Sequence, residues 1–285
     1  MANSPTMRRK QLGAELRRLR HEASVSVESI AELLDCSIAK VGHFENGRNG
    51  IRKSDLAVLL NYLGVSADRQ AVLEELRKAS TERGWWATFR LPTWLQTYVG
   101  LESDATSIRV FELELVTALL QTKAYARRTQ EIADHTVSRE DVDRFADARI
   151  RRQSVLTGPD PVQLSVILSE AVLARTAVEP EIGADQVRHL IEAAGRPNIS
   201  IRILPWSAGM HPAMSGSFHV LDFDPDASLP VAYQEHAVGG HLIDDPEVVG
   251  SLTRLFETLA GRALTQADSL ALLEEYANGS KRAGS

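Results

Sequence analysis

Hydrophobic residues open the chain at helical spacing. Leu12, Leu16 and Leu19 recur every three or four positions while Arg8, Arg9, Lys10, Arg17, Arg18 and Arg20 fill the gaps, which predicts an amphipathic helix with a cationic outer surface. Ser26 is a cap for a second helix that carries Ile30, Leu33 and Leu34 inward. Asp35-Cys36-Ser37 makes a tight connection. Ser37 then caps a third helix over about 38–46, and Gly47 stops it in the left-handed region. On that helix Val41 and Phe44 face the core, leaving Ile38, Ala39, Lys40, Gly42 and His43 on the outer or leading face. Leu56, Leu59, Leu60 and Leu63 mark a fourth helix capped by Ser54, and Leu73 and Leu76 mark a fifth. Two helices joined by a three-residue turn make a helix-turn-helix, and the packing unit closes near Ser80.

Beyond it the pattern changes. Arg83-Gly84-Trp85-Trp86 ends the fifth helix and Pro92 forbids a continuous one, so a junction is expected. Trp85, Trp86, Trp94 and Trp206 are candidates for an effector site, although rings gathered at such a junction more often staple two domains. A helix is predicted from Ile108, with Phe111, Leu115 and Leu119 on one face. Tyr125 begins another segment, and 142–156 reads as a longer helix with Arg149, Arg151 and Arg152 on its surface. After Pro161, short β-branched or aromatic runs at 162–169, 199–204, 218–223 and 231–235 predict four strands, with helices at 185–194, 246–260 and 266–277. The expected architecture is a five-helix, helix-turn-helix bundle over 1–80, an aromatic junction and helical segment over 81–160, and an α+β domain over 161–285. That last domain should hold a small mixed sheet flanked by helices.

Composition narrows the class without changing this outline. With 285 residues, 44% hydrophobic and 25% charged, the chain is neither disordered, collagen-like nor a coiled coil. No apolar run approaches the roughly 18 residues of a membrane-spanning helix, and the N-terminus lacks a hydrophobic signal segment. Cys36 is the only cysteine, which excludes an intrachain disulfide and a Cys-based zinc site. A cytoplasmic location is therefore expected, with no membrane partner and no cofactor. The net charge of −6 argues against nucleic acid only until it is divided along the chain. Residues 1–80 hold 13 Lys/Arg against 10 Asp/Glu, a balance of +3, and the remainder hold 19 against 28, a balance of −9. Only the first part is suited to approach phosphates.

The stretch from Ser37 to Gly47, ending Glu45-Asn46-Gly47, together with Leu63-Gly64-Val65-Ser66, resembles the Xre and phage-repressor family of DNA-binding domains. Asp35 stands where that family places a turn glycine; aspartate tolerates the left-handed region better than most residues. The resemblance implies that Ile38, Ala39, Lys40 and His43 point at base edges in the major groove. It also implies that Ser26, Val27, Arg48, Asn49, Arg52 and Lys53 contact phosphates and fix the docking register, with Lys40 able to do the same. Gly84-Trp85-Trp86, Gly100-Leu101-Glu102, the run from Leu119-Leu120-Gln121-Thr122 to Arg127, and Arg151-Arg152-Gln153 resemble a domain of unknown function found after Xre-type modules in actinobacterial regulators. There it is described as antitoxin-like. Thr117-Ala118 replaces that family's Pro-Gly, from which a straighter helix is expected. These resemblances imply a transcriptional regulator, a homodimer on double-stranded DNA, nucleoid-associated when bound. Its second domain would bind a small neighbour-encoded protein or a small-molecule effector.

Two enzymatic alternatives are weaker. The strand and helix order loosely resembles a phospholipase-D-type half-domain, but that chemistry needs a lysine two residues after the nucleophilic histidine, and His211 is followed by Pro212 and Ala213. Glu235, His236, His241, Asp244 and Asp245 offer nitrogen and oxygen donors to a metal, yet scattered polar residues of this kind more often line a solvated loop. No phosphate-binding glycine loop and no Gly-x-Ser-x-Gly elbow is present. No catalytic residue and no metal ligand is therefore assigned.

Overall fold

The computed structural model describes residues 4–133, 137–225 and 228–279. The chain forms two compact units: one of residues up to Thr88, and one from Phe89 onward less residues 225–228.

The first unit holds five helices, α1 (Pro5–Glu22), α2 (Val27–Leu33), α3 (Ile38–Glu45), α4 (Lys53–Tyr62) and α5 (Ala67–Ser80). Three serines start three of them: Ser4, Ser26 and Ser37 each accept a hydrogen bond from the backbone N–H three residues on, satisfying donors that the first turn leaves over. Leu12, Leu16, Ile30, Val41, Phe44, Leu56, Leu59, Leu60 and Leu73 form the core. Gly47 has φ +66°, and a Cβ there would lie 2.6 Å from the Lys10 Cα, so the turn after α3 requires glycine for conformation and for room. The turn before α3 uses Asp35 at φ 48°. Asp35→Gly is expected to leave stability unchanged or raise it by up to about 1 kcal/mol, whereas Asp35→Val should lower it by about 1–2 kcal/mol. Denaturant midpoints of the two variants check this, and equal midpoints would refute it.

In the first unit one arginine departs from its predicted environment. Arg20, expected on the cationic outer surface of α1, is buried, with Nε and Nη2 donating to the Glu45 carboxylate at 2.7 and 2.9 Å and Nη1 to the Val25 carbonyl at 3.1 Å.

In the second unit, among the described residues, a six-stranded mixed sheet runs β3-β2-β1-β4-β5-β6. Its strands are β1 (Ser107–Glu112), β2 (Gln163–Ser169), β3 (Ile199–Leu204), β4 (Phe218–Asp222), β5 (Val231–His236) and β6 (Gly239–Ile243). β1, β2 and β3 are parallel, and β4, β5 and β6 continue antiparallel from β1. The helices are α6 (Thr93–Glu102), α7 (Lys123–Ala133), α8 (Arg139–Arg152), α9 (Glu170–Ala177), α10 (Pro180–Ala194), α11 (Pro246–Arg262) and α12 (Gln266–Ala277). On one sheet face Phe111, Ile167, Phe218 and Val220 pack with Val249, Phe256 and Leu259 of α11. The edge of β3 is covered by the segment leading into α12: Leu264 N–H donates to the Ile203 carbonyl and Ser269 Oγ accepts from Ile203 N–H, both at 2.9 Å. Covering that edge removes a template for pairing with another chain.

The four predicted strands are present, and two more join them. β1 lies where the spacing of Ile108, Phe111, Leu115 and Leu119 predicts a helix. It is a central strand in which burial alternates from Ser107 to Val110 and stops alternating at Phe111, which is buried beside Val110. Leu115 is instead exposed. The sheet thus draws its centre from residues that the sequence pattern separates from 161–285. Thr117 precedes a 3₁₀ turn, Ala118–Leu120, rather than standing in a helix, so no helix is straightened there. Glu235, His236 and His241 belong to the β5–β6 hairpin, not to a loop.

Candidate nucleic-acid interface

The outer face of α3 is built by exclusion: Val41, Phe44 and Glu45 turn inward and Ile38, Ala39, Lys40 and His43 stay exposed. Ile38 is 53% exposed, an apolar side chain left on a surface that is otherwise small or cationic. The loop after α3 folds back on it, since the N–H groups of Arg48 and Asn49 donate to the His43 carbonyl at 2.8 and 3.2 Å. Both residues are exposed one turn beyond His43. Lys40 Nζ lies 3.5 Å from Asp55 Oδ2, which brings the first turn of α4, with exposed Arg52 and Lys53, beside the start of α3. Two edges of the helix are therefore flanked by cations that can reach phosphates, while its centre carries groups sized for a groove.

Not every expected contact has a free side chain to offer. Ser26 Oγ already accepts from Ser29 N–H at 3.1 Å, and Val27 packs against the core, leaving its backbone N–H as the polar group. Lys40 shares its charge with Asp55, a partner fifteen residues away that no spacing rule relates to it. Arg17 is a further cation at the far end of α3, with Nη1 3.5 Å from Asn46 Oδ1 and its side chain 56% exposed. Its position on α1 signals only an exposed helix face, so the sequence gives no reason to place it near α3.

The four tryptophans fall in separate places. Trp85 and Trp86 pack edge-on at 5.9 Å in the first unit, with Trp86 buried. Trp94, in the second unit, stacks on Tyr233 with ring centres 6.4 Å apart. Trp206, also in the second, is 63% exposed, and its backbone N–H donates to Glu170 Oε2 at 2.9 Å. Among the described residues, no three His, Cys, Asp or Glu side chains come close enough to hold a metal ion. Asp245 caps α11, accepting from Glu247 and Val248 N–H. His211 sets its ring edge-on to Phe111 at 5.6 Å, and burial, then Arg262, lowers its pKa.

Helix lengths, serine caps, the turn at Asp35 and the exposed face of α3 define the first unit as a helix-turn-helix domain, a DNA-binding class of fold. Residues 11–73 match the family described as a helix-turn-helix domain, and residues 95–275 match the family described as a domain of unknown function (DUF5753). The second match spans more than half of the chain, and the chain belongs to that family. No curated protein and no solved structure matches it. Among the described residues no helix is long and apolar enough to cross a membrane.

Proposed function

We propose that this protein is an Xre-type transcriptional regulator that binds double-stranded DNA sequence-specifically as a homodimer in the cytoplasm, associated with the nucleoid when bound. The observation that carries the reading is the exposed α3 face flanked by Arg48, Asn49, Arg52 and Lys53. A single short helix reads few base pairs, so two half-sites about one helical turn apart supply the specificity. The second unit acts by binding rather than by catalysis, and it controls DNA affinity by holding an effector or a small neighbour-encoded protein. An effector does this only if it binds the DNA-competent and incompetent states differently.

Selection of bound fragments from a genomic library by the purified protein tests the DNA reading, with a two-fold related site and steep loss of affinity with salt as the expected result. A dimer without sequence preference would refute it. On the selected site, Arg52→Ala and Lys53→Ala should weaken specific and unrelated DNA alike, whereas His43→Ala should mainly remove discrimination, by about 1–3 kcal/mol. Equal loss on both DNAs in the His43 variant assigns that residue to the backbone instead.

A second reading, an antitoxin-like interaction module, is favoured by exposed apolar residues between β3 and β4: Trp206, Met210 at 84% and Met214 at 57%. Met and Trp side chains on a surface suit an adaptable protein contact. Trp206→Ser combined with Met210→Ser should abolish capture of a co-expressed neighbour-encoded protein while leaving DNA affinity intact. Undiminished capture counts against this surface.

A further inference from the structure

Two arginines one turn apart on α8 meet different surroundings. Arg152 is buried and paired, with Nε and Nη2 each donating to the Glu102 carboxylate at 2.8 Å. Arg149 is half-buried and donates only from Nη1, to Gln121 Oε1 at 2.7 Å and Thr129 Oγ1 at 2.8 Å. Both acceptors are neutral. The Nε/Nη2 edge, which on Arg152 grips a carboxylate, meets no acceptor on Arg149 among the described residues. Burial first, and Arg152 second, push its pKa below that of an ordinary arginine. A partly buried cation with neutral partners is only partly compensated, and its Nε and Nη2 are not among the buried atoms that lack a partner, so this edge stays accessible.

The neighbours hold this guanidinium in one orientation. Gln121 Nε2 donates to the Val116 carbonyl at 2.6 Å and Thr129 Oγ1 to the Ala126 carbonyl at 3.0 Å, which fixes both acceptors. Within electrostatic reach lies the polar end of the sheet face, at the carboxyl end of β1, where sheets with parallel strands commonly take ligands. There His219, opposite Tyr233 in the β4–β5 register, bridges Tyr98 Oη at 2.7 Å and Glu112 Oε1 at 3.1 Å. Glu112 and Glu235 act on Arg149 only from a distance, and each has its own partner, His219 and the Tyr233 hydroxyl.

We propose that Arg149 anchors a binding site for a small ligand bearing a carboxylate or phosphate, whose paired oxygens take the Nε/Nη2 edge in the planar fork geometry that guanidinium favours. The inference deepens the effector reading and rests on it only for the consequence in DNA binding. Thermal unfolding of the full chain is followed against inorganic phosphate and against acetate, with sodium chloride at matched ionic strength. A saturable rise in Tm with an oxyanion, absent with chloride, is expected, and the anion that acts identifies the source. Arg149→Gln should abolish the rise, and Arg149→Lys, which keeps charge but loses the fork, should weaken apparent affinity about tenfold. Without ligand, Arg149→Gln should melt no lower than the unmodified protein. A chloride response equal to both oxyanions, an undiminished rise in Arg149→Gln, or a variant that melts much lower or fails to fold overturns the proposal. DNA affinity with and without the active anion then tests the effector reading separately: an anion that binds without changing DNA affinity leaves the site and removes the control role.

Discussion

Glu45→Gln is expected to destabilise the first unit by about 3–5 kcal/mol. The Arg20–Glu45 pair is closed on both sides, with side chains only 7% and 5% exposed, and it joins the last turn of α1 to the end of α3. Removing one charge leaves the other desolvated and unpaired, which costs far more than the intact pair contributes. In a unit of this size about 1 kcal/mol corresponds to about 4–8 °C in Tm, so the loss approaches the stability of the domain itself. DNA binding should weaken with it, because α3 loses a buried contact near its C-terminal end. Replacing both partners with apolar residues, Arg20→Met with Glu45→Leu, should recover most of the stability. Circular dichroism during chemical denaturation of the three proteins checks the pattern. A Glu45→Gln protein that unfolds at the same denaturant concentration as the unmodified one would show that the pair is hydrated after all.

The second large effect is expected at Glu102. Its carboxylate is 1% exposed and takes both donors of Arg152, whose guanidinium also lies 5.4 Å from the centre of the Tyr98 ring. Burial, then Glu102, holds the Tyr98 hydroxyl well above its ordinary pKa, so that phenol offers no counter-charge. Glu102→Gln should therefore cost the second unit about 3–5 kcal/mol, by stranding Arg152. Arg149, one turn away, is expected to lose little or nothing when neutralised, since it has no carboxylate to abandon. Scanning calorimetry of Glu102→Gln beside Arg149→Gln measures this contrast directly. Matching losses in the two variants would mean that charge pairing does not distinguish the arginines.

Much of this fold is carried by local pattern. Serine caps, the glycine stop at Gly47 and leucines at helical spacing specify the first unit because each acts within a turn or two of its own position. Strands β2 to β5 announce themselves in the same way, as short β-branched or aromatic runs between Pro, Gly and Asp. β1 does not, because Ile108, Phe111, Leu115 and Leu119 also fit a helical period, and its own alternation runs only from Ser107 to Val110 before Phe111 breaks it. β6 has the same difficulty for another reason: Gly239-Gly240-His241-Leu242-Ile243 starts with two glycines that read as a turn. At Gly240 the structure gives the cause, since a Cβ would fall 2.3 Å from the Tyr233 hydroxyl. The exposed face of α3 was legible from helical periodicity, whereas the salt link from Lys40 to Asp55 was not.

The sequence by itself determined where α2 and α3 begin and where α3 stops, most of the apolar residues that form the first unit's core, and which face of α3 remains outside. α4 starts one residue before the expected cap Ser54, with Arg52 at the cap position and no side-chain hydrogen bond there. Only the tertiary structure decided the fate of the arginines. Arg20, Arg149 and Arg152 share the composition and spacing of surface cations, and nothing adjacent in the chain marks them otherwise. Their environment is set by carboxylates 25 and 50 residues away for Arg20 and Arg152, and for Arg149 by the neutral Gln121 and Thr129. Hydrophobic periodicity is a short-range property of the chain, but the electrostatic energy of a charge depends on everything folded around it.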